Sequence, residues 1–366
     1  MQRESRDSFE SQLLLRNKMN PKKRNLRVIM FLVLLLLIYR AMKDKKDLTS
    51  YEITGQTMGT ISYIVKFRSM EESVTKYNID SLLIAFNQSL STYIPTSEIS
   101  IFNKEDTLYY ESDMFYPVLE SSTQVYNNTE GAYDPTIAPL VNIWGFGPNG
   151  RPETPDSAAV DSMLQLVDFT RIKYDRNAAV KPSEITIDFS AIAKGYAVDL
   201  VGEYLEKYKV ENYMVEIGGE VRTKGLNDKE EIWSIGIDDP LVEINERKLM
   251  AIVSLADKSM ATSGNYRNYY EVDGKTVAHI IDPRTGYNNF QSILSATVFS
   301  ASCMEADAYA TAFMVMGMDK SKELLQKVEG LDAILIYQEG DETRSYTTDG
   351  IKEYVQMNRA KEAAAL

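Results

Sequence analysis

Residues 185–220 read ITIDFSAIAKGYAVDLVGEYLEKYKVENYMVEIGGE. The alternating Ile185-Thr-Ile187 start predicts a short strand over 185–189. A turn then opens a helix over 191–207, with Gly195 inside it. Residues 213–217 read as the next strand, stopped by Gly218-Gly219. Outward from this stretch the mixture continues. Strands are expected at 60–67, 232–237, 250–255, 277–281, 293–300 and 333–337. Helices are expected at 73–90, 116–129, 157–167 and 304–316, and residues 131–150, rich in Gly and Pro, read as a loop region. Strands and helices alternate without a regular βαβ rhythm, which predicts an α+β fold. The order strand, helix, strand recurs in both halves and is compatible with an old duplication.

The chain has 366 residues, 44% of them hydrophobic and 10% aromatic, which excludes a disordered polypeptide. The net charge of −13 hides an asymmetry. Residues 1–50 carry twelve Lys/Arg against five Asp/Glu, or +7, so residues 51–366 carry −20. A body that acidic repels phosphate backbones, so nucleic acid is excluded as the expected partner.

Residues 28–39 (VIMFLVLLLLIY) form an unbroken apolar run behind Lys22, Lys23, Arg24 and Arg27. The run is short for a span of about 20 residues. No small-residue cleavage site follows it, and Arg40 can extend it by snorkelling. An uncleaved signal anchor is expected over a leader of residues 1–47, with a start at Met19 or a cleaved signal as alternatives. Basic residues are more frequent before the run than after it. That places the body, residues 48–358, on the extracytoplasmic side, with a tail at 359–366. The single cysteine, Cys303, allows no internal disulfide.

Gly145-Phe-Gly-Pro-Asn-Gly150 matches the dinucleotide fingerprint G-x-G-x-x-G. Pro148 inside it and Pro152 and Pro155 after it block the helix that the fingerprint needs, so it reads as a surface loop. Chemistry concentrates elsewhere. Asp134 precedes Pro135, which pushes its backbone extended and leaves its carboxylate to face a neighbour. Asp188 and Lys194 flank a strand-to-helix turn, so both can line one pocket, with helix N-terminal amides facing an anion. Glu216-Ile-Gly-Gly-Glu220 is a strand stopped by two glycines. His279, the only histidine, stands beside Asp282 and Arg284 in a turn-rich stretch; a structural and a catalytic role are both open to it. Asp307 and Thr311 lie at i, i+4 on one helix face and suit a hard cation that takes oxygen ligands. Thr311 can equally bond its own helix backbone. No His/Cys spacing for structural zinc and no G-x-S-x-G elbow is present.

The stretches TMGT, STYIPTSEIS, GAYDPTIAPLVNIWGFGP, DFSAIAKGYAVD, EIGGE, WSIGIDDP, ATSGNYR, HIIDPRTG and EADAYATA together resemble the FAD:protein FMN transferases, the ApbE-like flavin transferase family, from about residue 54 to 337. The resemblance implies a fold related to a duplicated T-fold. It also implies Mg²⁺-dependent cleavage of FAD, with FMN passed to a threonine hydroxyl of an acceptor protein, a membrane redox subunit for example, and AMP released. By motif, Met58, Tyr93, Ala132, Tyr133, Asp134, Asp188, Lys194 and Ile281 would line the FAD site. The carbonyl of Ala191, with Asp307 and Thr311, would hold the metal, and His279 and Asp307 would be catalytic. Tyr133, Ser190-Ala191, Glu216 and Asn288 depart from the common family residues without removing a proposed ligand. Two other readings use the same pocket: an FAD pyrophosphatase with water as nucleophile, and a non-catalytic extracytoplasmic FAD-binding protein.

Overall fold

The computed structural model describes residues 25, 29–33, 48–147, 155–242, 248–264, 269–272, 275–288 and 293–357. The chain divides into two units, Met1–Thr49 and Ser50–Leu366. Most of the expected anchor, and the tail, lie outside the described residues; residues 29–33 are helical and exposed. Among the described residues no helix is long and apolar enough to cross a membrane.

The second unit opens with two adjacent strands, β1 (Thr49–Thr57) and β2 (Ile61–Ser69). They are joined through Met58 and Gly59, both at positive φ (47° and 87°). Then follow α1 (Lys76–Leu90), α2 (Glu98–Lys104), β3 (Thr107–Tyr109), α3 (Phe115–Asn128), α4 (Ala138–Ile143), α5 (Ser157–Leu164), β4 (Lys173–Tyr174), β5 (Ala178–Val180) and α6 (Ala193–Lys207). The strands β6 (Asn212–Ile217), β7 (Glu220–Lys224), β8 (Trp233–Asp238), β9 (Leu249–Leu255), β10 (Ser259–Gly264), β11 (Tyr269–Val272), β12 (Lys275–Ala278) and β13 (Ile293–Ser300) come next. The described chain closes with α7 (Cys303–Met316), α8 (Met318–Lys327), β14 (Asp332–Glu339), β15 (Glu342–Thr347), α9 (Asp349–Lys352) and β16 (Val355–Met357).

An eight-stranded sheet in the order β1-β2-β6-β7-β10-β13-β14-β15 organises the unit. Its pairings from β2 to β15 are antiparallel, which is the mixed α and β character expected. Side chains alternate between two cores, as a strand period of two requires. Val215, Ala333 and Leu335 face the main core, where the helices pack. Met214, Ile334 and Ile336 face a second core with Trp233, Val253 and Leu255 of the small sheet β16-β9-β8.

The helix α7 runs through the main core. Its sequence, CMEADAYATAFMVM, is apolar almost all round, and such a helix is stable only when buried on every side. Asp199 of α6 satisfies its first turn, accepting from the Cys303 and Met304 amides (3.0 and 2.9 Å) and from the Ser302 hydroxyl (2.8 Å). Arg222 on β7 donates to the same Asp199 (2.9 Å), so one carboxylate ties sheet, α6 and α7 together.

Two expectations are corrected. Residues 185–189 form no strand. The Asn103 side chain brackets Ile187 instead, donating to its carbonyl (2.8 Å) and accepting from its amide (2.7 Å), so one side-chain amide replaces a neighbouring strand. Residues 131–150 are not all loop. Asp134 caps a 3₁₀ turn, Pro135–Ile137, which runs on into α4. Proline at the first helical position costs no hydrogen bond, which is why a Pro-rich stretch can start a helix.

Candidate active site

The closest approach of α6 to α7 builds the centre. A Cβ placed on Gly195 would lie 2.1 Å from the Cys303 carbonyl oxygen and 2.9 Å from Asp307 Cβ, so only glycine permits this contact. At this distance the Gly195 amide donates to Asp307 Oδ2 (3.0 Å). The expected anion at the N-terminus of α6 is therefore, in part, the protein's own carboxylate. Beside it Lys194 donates to Glu220 Oε1, with Lys194 Nζ 3.8 Å from Asp307 Oδ1.

Glu220 reaches this position through the β6–β7 hairpin. Gly218 and Gly219, both at positive φ (65° and 107°), form its two-residue turn and set Ile217 opposite Glu220. Glu220 is 1% exposed and Asp307 2%. Burial raises the Glu220 carboxyl to about 7; Lys194 pulls it down and Asp307 pushes it up. Burial likewise raises Asp307. Burial disfavours the Lys194 ammonium, but the two carboxylates outweigh it and raise its pKa.

Two buried carboxylates thus share one ammonium, and Glu220 Oε2 has no hydrogen-bond partner. Such a cluster has negative charge to spare, and its free donors are oxygens. Thr311 lies one turn along α7 from Asp307, and its hydroxyl pairs with the Ser263 hydroxyl of β10 (3.0 Å) rather than with its own helix. Ala191 sits half-buried in the turn before α6. Carboxylate, hydroxyl and carbonyl oxygens of this kind fit a hard divalent cation. The described residues contain no group of three or more His, Cys, Asp or Glu that would make a conventional metal cluster.

The remaining expected residues are placed differently. Asp134 does not present a free carboxylate. Oδ1 accepts from the Thr136 amide and hydroxyl (2.7 and 2.5 Å), and Oδ2 accepts from the Phe169 amide (3.3 Å). Burial raises its pKa to about 6 against these bonds. Asp188 folds back on the Ser190 amide (2.7 Å), and its own amide donates to the Pro135 carbonyl (2.7 Å), tying the two motif segments together. It is Glu220, rather than Asp188, that pairs with Lys194. Ala132 and Tyr133 are buried, and the Tyr133 hydroxyl pairs with Ser122 (2.9 Å), so the ring serves the core. Tyr93 is 68% exposed and open for stacking. Met58 packs partly buried against the main core.

His279 follows β12, half-buried, with its ring 6.3 Å from that of Phe146. Its neighbour Ile281 joins a satellite cluster with Leu140, Trp144 and Val160 of α4, α5 and the turn between. Asp282 and Arg284 engage each other in a fork (2.9 and 2.8 Å), so they brace the loop. The Trp144 indole donates to the Gly286 carbonyl (2.8 Å). In the dinucleotide-like stretch the described residues end this same α4 region; Pro148–Gly150 lie outside them.

Glu220, Gly195 and Asp199 had no assigned role in the sequence. A charged residue directly after a two-glycine turn was the one available signal for Glu220.

A model described as the ApbE family matches residues 54–335. An FAD:protein FMN transferase of Vibrio cholerae serotype O1 is 36% identical over 318 residues, spanning 85% of this chain and 94% of the relative. Its namesake from Escherichia coli K12 is 32% identical over 313 residues, spanning 83% and 88%. Among solved structures, the flavin transferase ApbE from Vibrio cholerae superposes with a TM-score of 0.75 at 33% identity, covering 84% of this chain and 99% of its own. The apo flavinyl transferase ApbE of Pseudomonas stutzeri gives 0.75 at 31% identity, covering 85% and 98%.

Proposed function

This chain belongs to the ApbE family, and on that premise we propose that it transfers FMN from FAD to a threonine hydroxyl of an acceptor protein, with Mg²⁺, and releases AMP. The observation that carries this reading is the half-buried Lys194 ammonium beside buried Glu220 and Asp307 at the α6–α7 contact, in a chain that covers 94% of a named FAD:protein FMN transferase. Phosphoryl transfer needs positioning and neutralised charge more than covalent help from the protein. A bound Mg²⁺ supplies the positive charge that draws electron density from phosphorus and stabilises the departing AMP.

The chain's own residues do the rest. Asp307, Thr311 and the Ala191 carbonyl offer oxygens to the cation. Lys194 sets an ammonium beside the pyrophosphate. Exposed Tyr93 offers a face for a ring. Tyr133, Ala132, Asp134 and Asp188 shape the wall through buried packing and backbone bonds. Asp307 Oδ2 accepts from the Gly195 amide, and Oδ1 is the oxygen offered to the cation. We therefore assign the acceptor proton to the His279 imidazole.

We place the domain on the extracytoplasmic side of a bacterial inner membrane, held by the apolar run 28–39; the Lys/Arg excess before that run supports this. The acceptor is then an exported or membrane redox subunit.

Incubation with FAD, MgCl₂ and an acceptor domain tests the reading. The expected result is an acceptor heavier by one esterified FMN, with AMP released and the reaction stopped by a chelator. Free FMN beside an unmodified acceptor would overturn transfer in favour of hydrolysis.

A further inference from the structure

Lys194 has two buried carboxylates within reach and is bound to only one. It donates to Glu220, whereas its distance to Asp307 Oδ1 is 3.8 Å, too long for a hydrogen bond. The preference is built into the backbone. Glu220 is placed by the β6–β7 turn, whose Gly218 and Gly219 at positive φ set it opposite Ile217. Asp307 is fixed by the α6–α7 contact at Gly195.

We propose that Glu220 is a positioning residue that holds the Lys194 ammonium away from Asp307, keeping Asp307 Oδ1 available to a divalent cation. This rests on the reading of Asp307 as a cation ligand. Without Glu220, an ammonium on a flexible stem beside a buried carboxylate closes the remaining gap, because an unpaired buried charge is costly. Lys194 would then occupy the oxygen that the cation needs. Glu220 thus acts through Lys194, and its effect should vanish when Lys194 is removed.

The test uses Mn²⁺ binding to the full chain without FAD, followed by electron paramagnetic resonance, together with a metal-free crystal structure of Glu220→Gln. Glu220→Gln should weaken Mn²⁺ binding about tenfold or more. In its crystal structure Lys194 Nζ should lie within hydrogen-bonding distance of Asp307. The double variant Glu220→Gln/Lys194→Met should return to within about threefold of the parent. A weakened affinity that persists in the double variant, or a Lys194 that stays off Asp307 in the single variant, overturns the inference. Asp307→Ala separates it from its premise. If that variant binds Mn²⁺ like the parent, the cation site itself is wrong. If it loses Mn²⁺ while Glu220→Gln keeps it, only the role given to Glu220 fails.

Discussion

The α6–α7 centre and the 279–288 loop are both dense in charge, yet they close their polar groups in opposite ways. In the loop the Arg284 and Asn288 donors find acceptors in the same stretch. Asp282 takes the Arg284 fork and the Arg284 amide (2.9 Å), and Asn288 donates to the Ile280 carbonyl (3.2 Å). In the centre the accounts stay open: two buried carboxylates face one ammonium, and Glu220 Oε2 has no partner. Local closure makes a scaffold, whereas an unbalanced buried cluster is shaped for something that arrives. The first region therefore answers to substitution through activity and the second, His279 apart, mainly through stability.

The largest effect belongs to the open cluster. Asp307→Ala should lower FMN transfer on the order of 10³-fold, since it removes a charge acting where charge develops. Steady-state rates with saturating FAD and Mg²⁺ measure it. A rate within tenfold of the parent would break the contrast between the two regions. Gly195→Ala probes the same centre through packing. With its Cβ 2.1 Å from the Cys303 carbonyl, α6 must move off α7. A stability loss of about 3 kcal/mol in urea unfolding is expected, with loss of activity from a displaced Asp307.

These two residues also show what was legible in the sequence. The five expected helices agree with the structure to within three residues at either end, whereas α2, α4, α8 and α9 are not expected from the sequence; α7, apolar almost all round, begins one residue before its expected start. Strand 293–300 was read without error because nearly every side chain in it is buried. Asp307, Thr311 and Lys194 carried motif signals. Glu220 stands in the EIGGE motif, but its pairing with Lys194 is not legible, because pairing across β7 and α6 depends on a hairpin register that one sequence does not show. The role of Gly195 was equally hidden, since a glycine within a helix looks the same whether it faces solvent or another backbone. Residues 185–189 misled for a related reason. They read as a strand, but Asn103, far along the chain, takes both backbone groups of Ile187, and the Asp188 amide turns to the Pro135 carbonyl.

A smaller effect should come from Asp134, a closed site of the loop kind, near neither extreme. Its folded pKa of about 6 lies above the ordinary carboxylate value near 4. The folded state therefore binds the proton more tightly, and stability falls as pH rises from about 4 to about 6. Asp134→Asn keeps an oxygen for Thr136 and removes the titration. Its stability should be flatter across that window by about 2 kcal/mol, read from urea midpoints at several pH values. A window as steep as the parent's would mean that Asp134 is not the group responsible.

The smallest effect sharpens the comparison most. Arg284→Lys keeps the charge beside Asp282 but cannot reproduce the two-pronged fork. Asp282, 2% exposed, keeps the amide bond from residue 284 and a nearby ammonium, so the loss should be about 1 kcal/mol of stability. The rate of FMN transfer at saturating FAD should stay within about twofold, because the fork braces the loop that carries His279 and touches no reacting group. If the rate instead falls as steeply as in Asp307→Ala while the melting temperature holds, the loop's charges belong to the chemistry, and local closure of polar groups is no guide to which region of this molecule reacts.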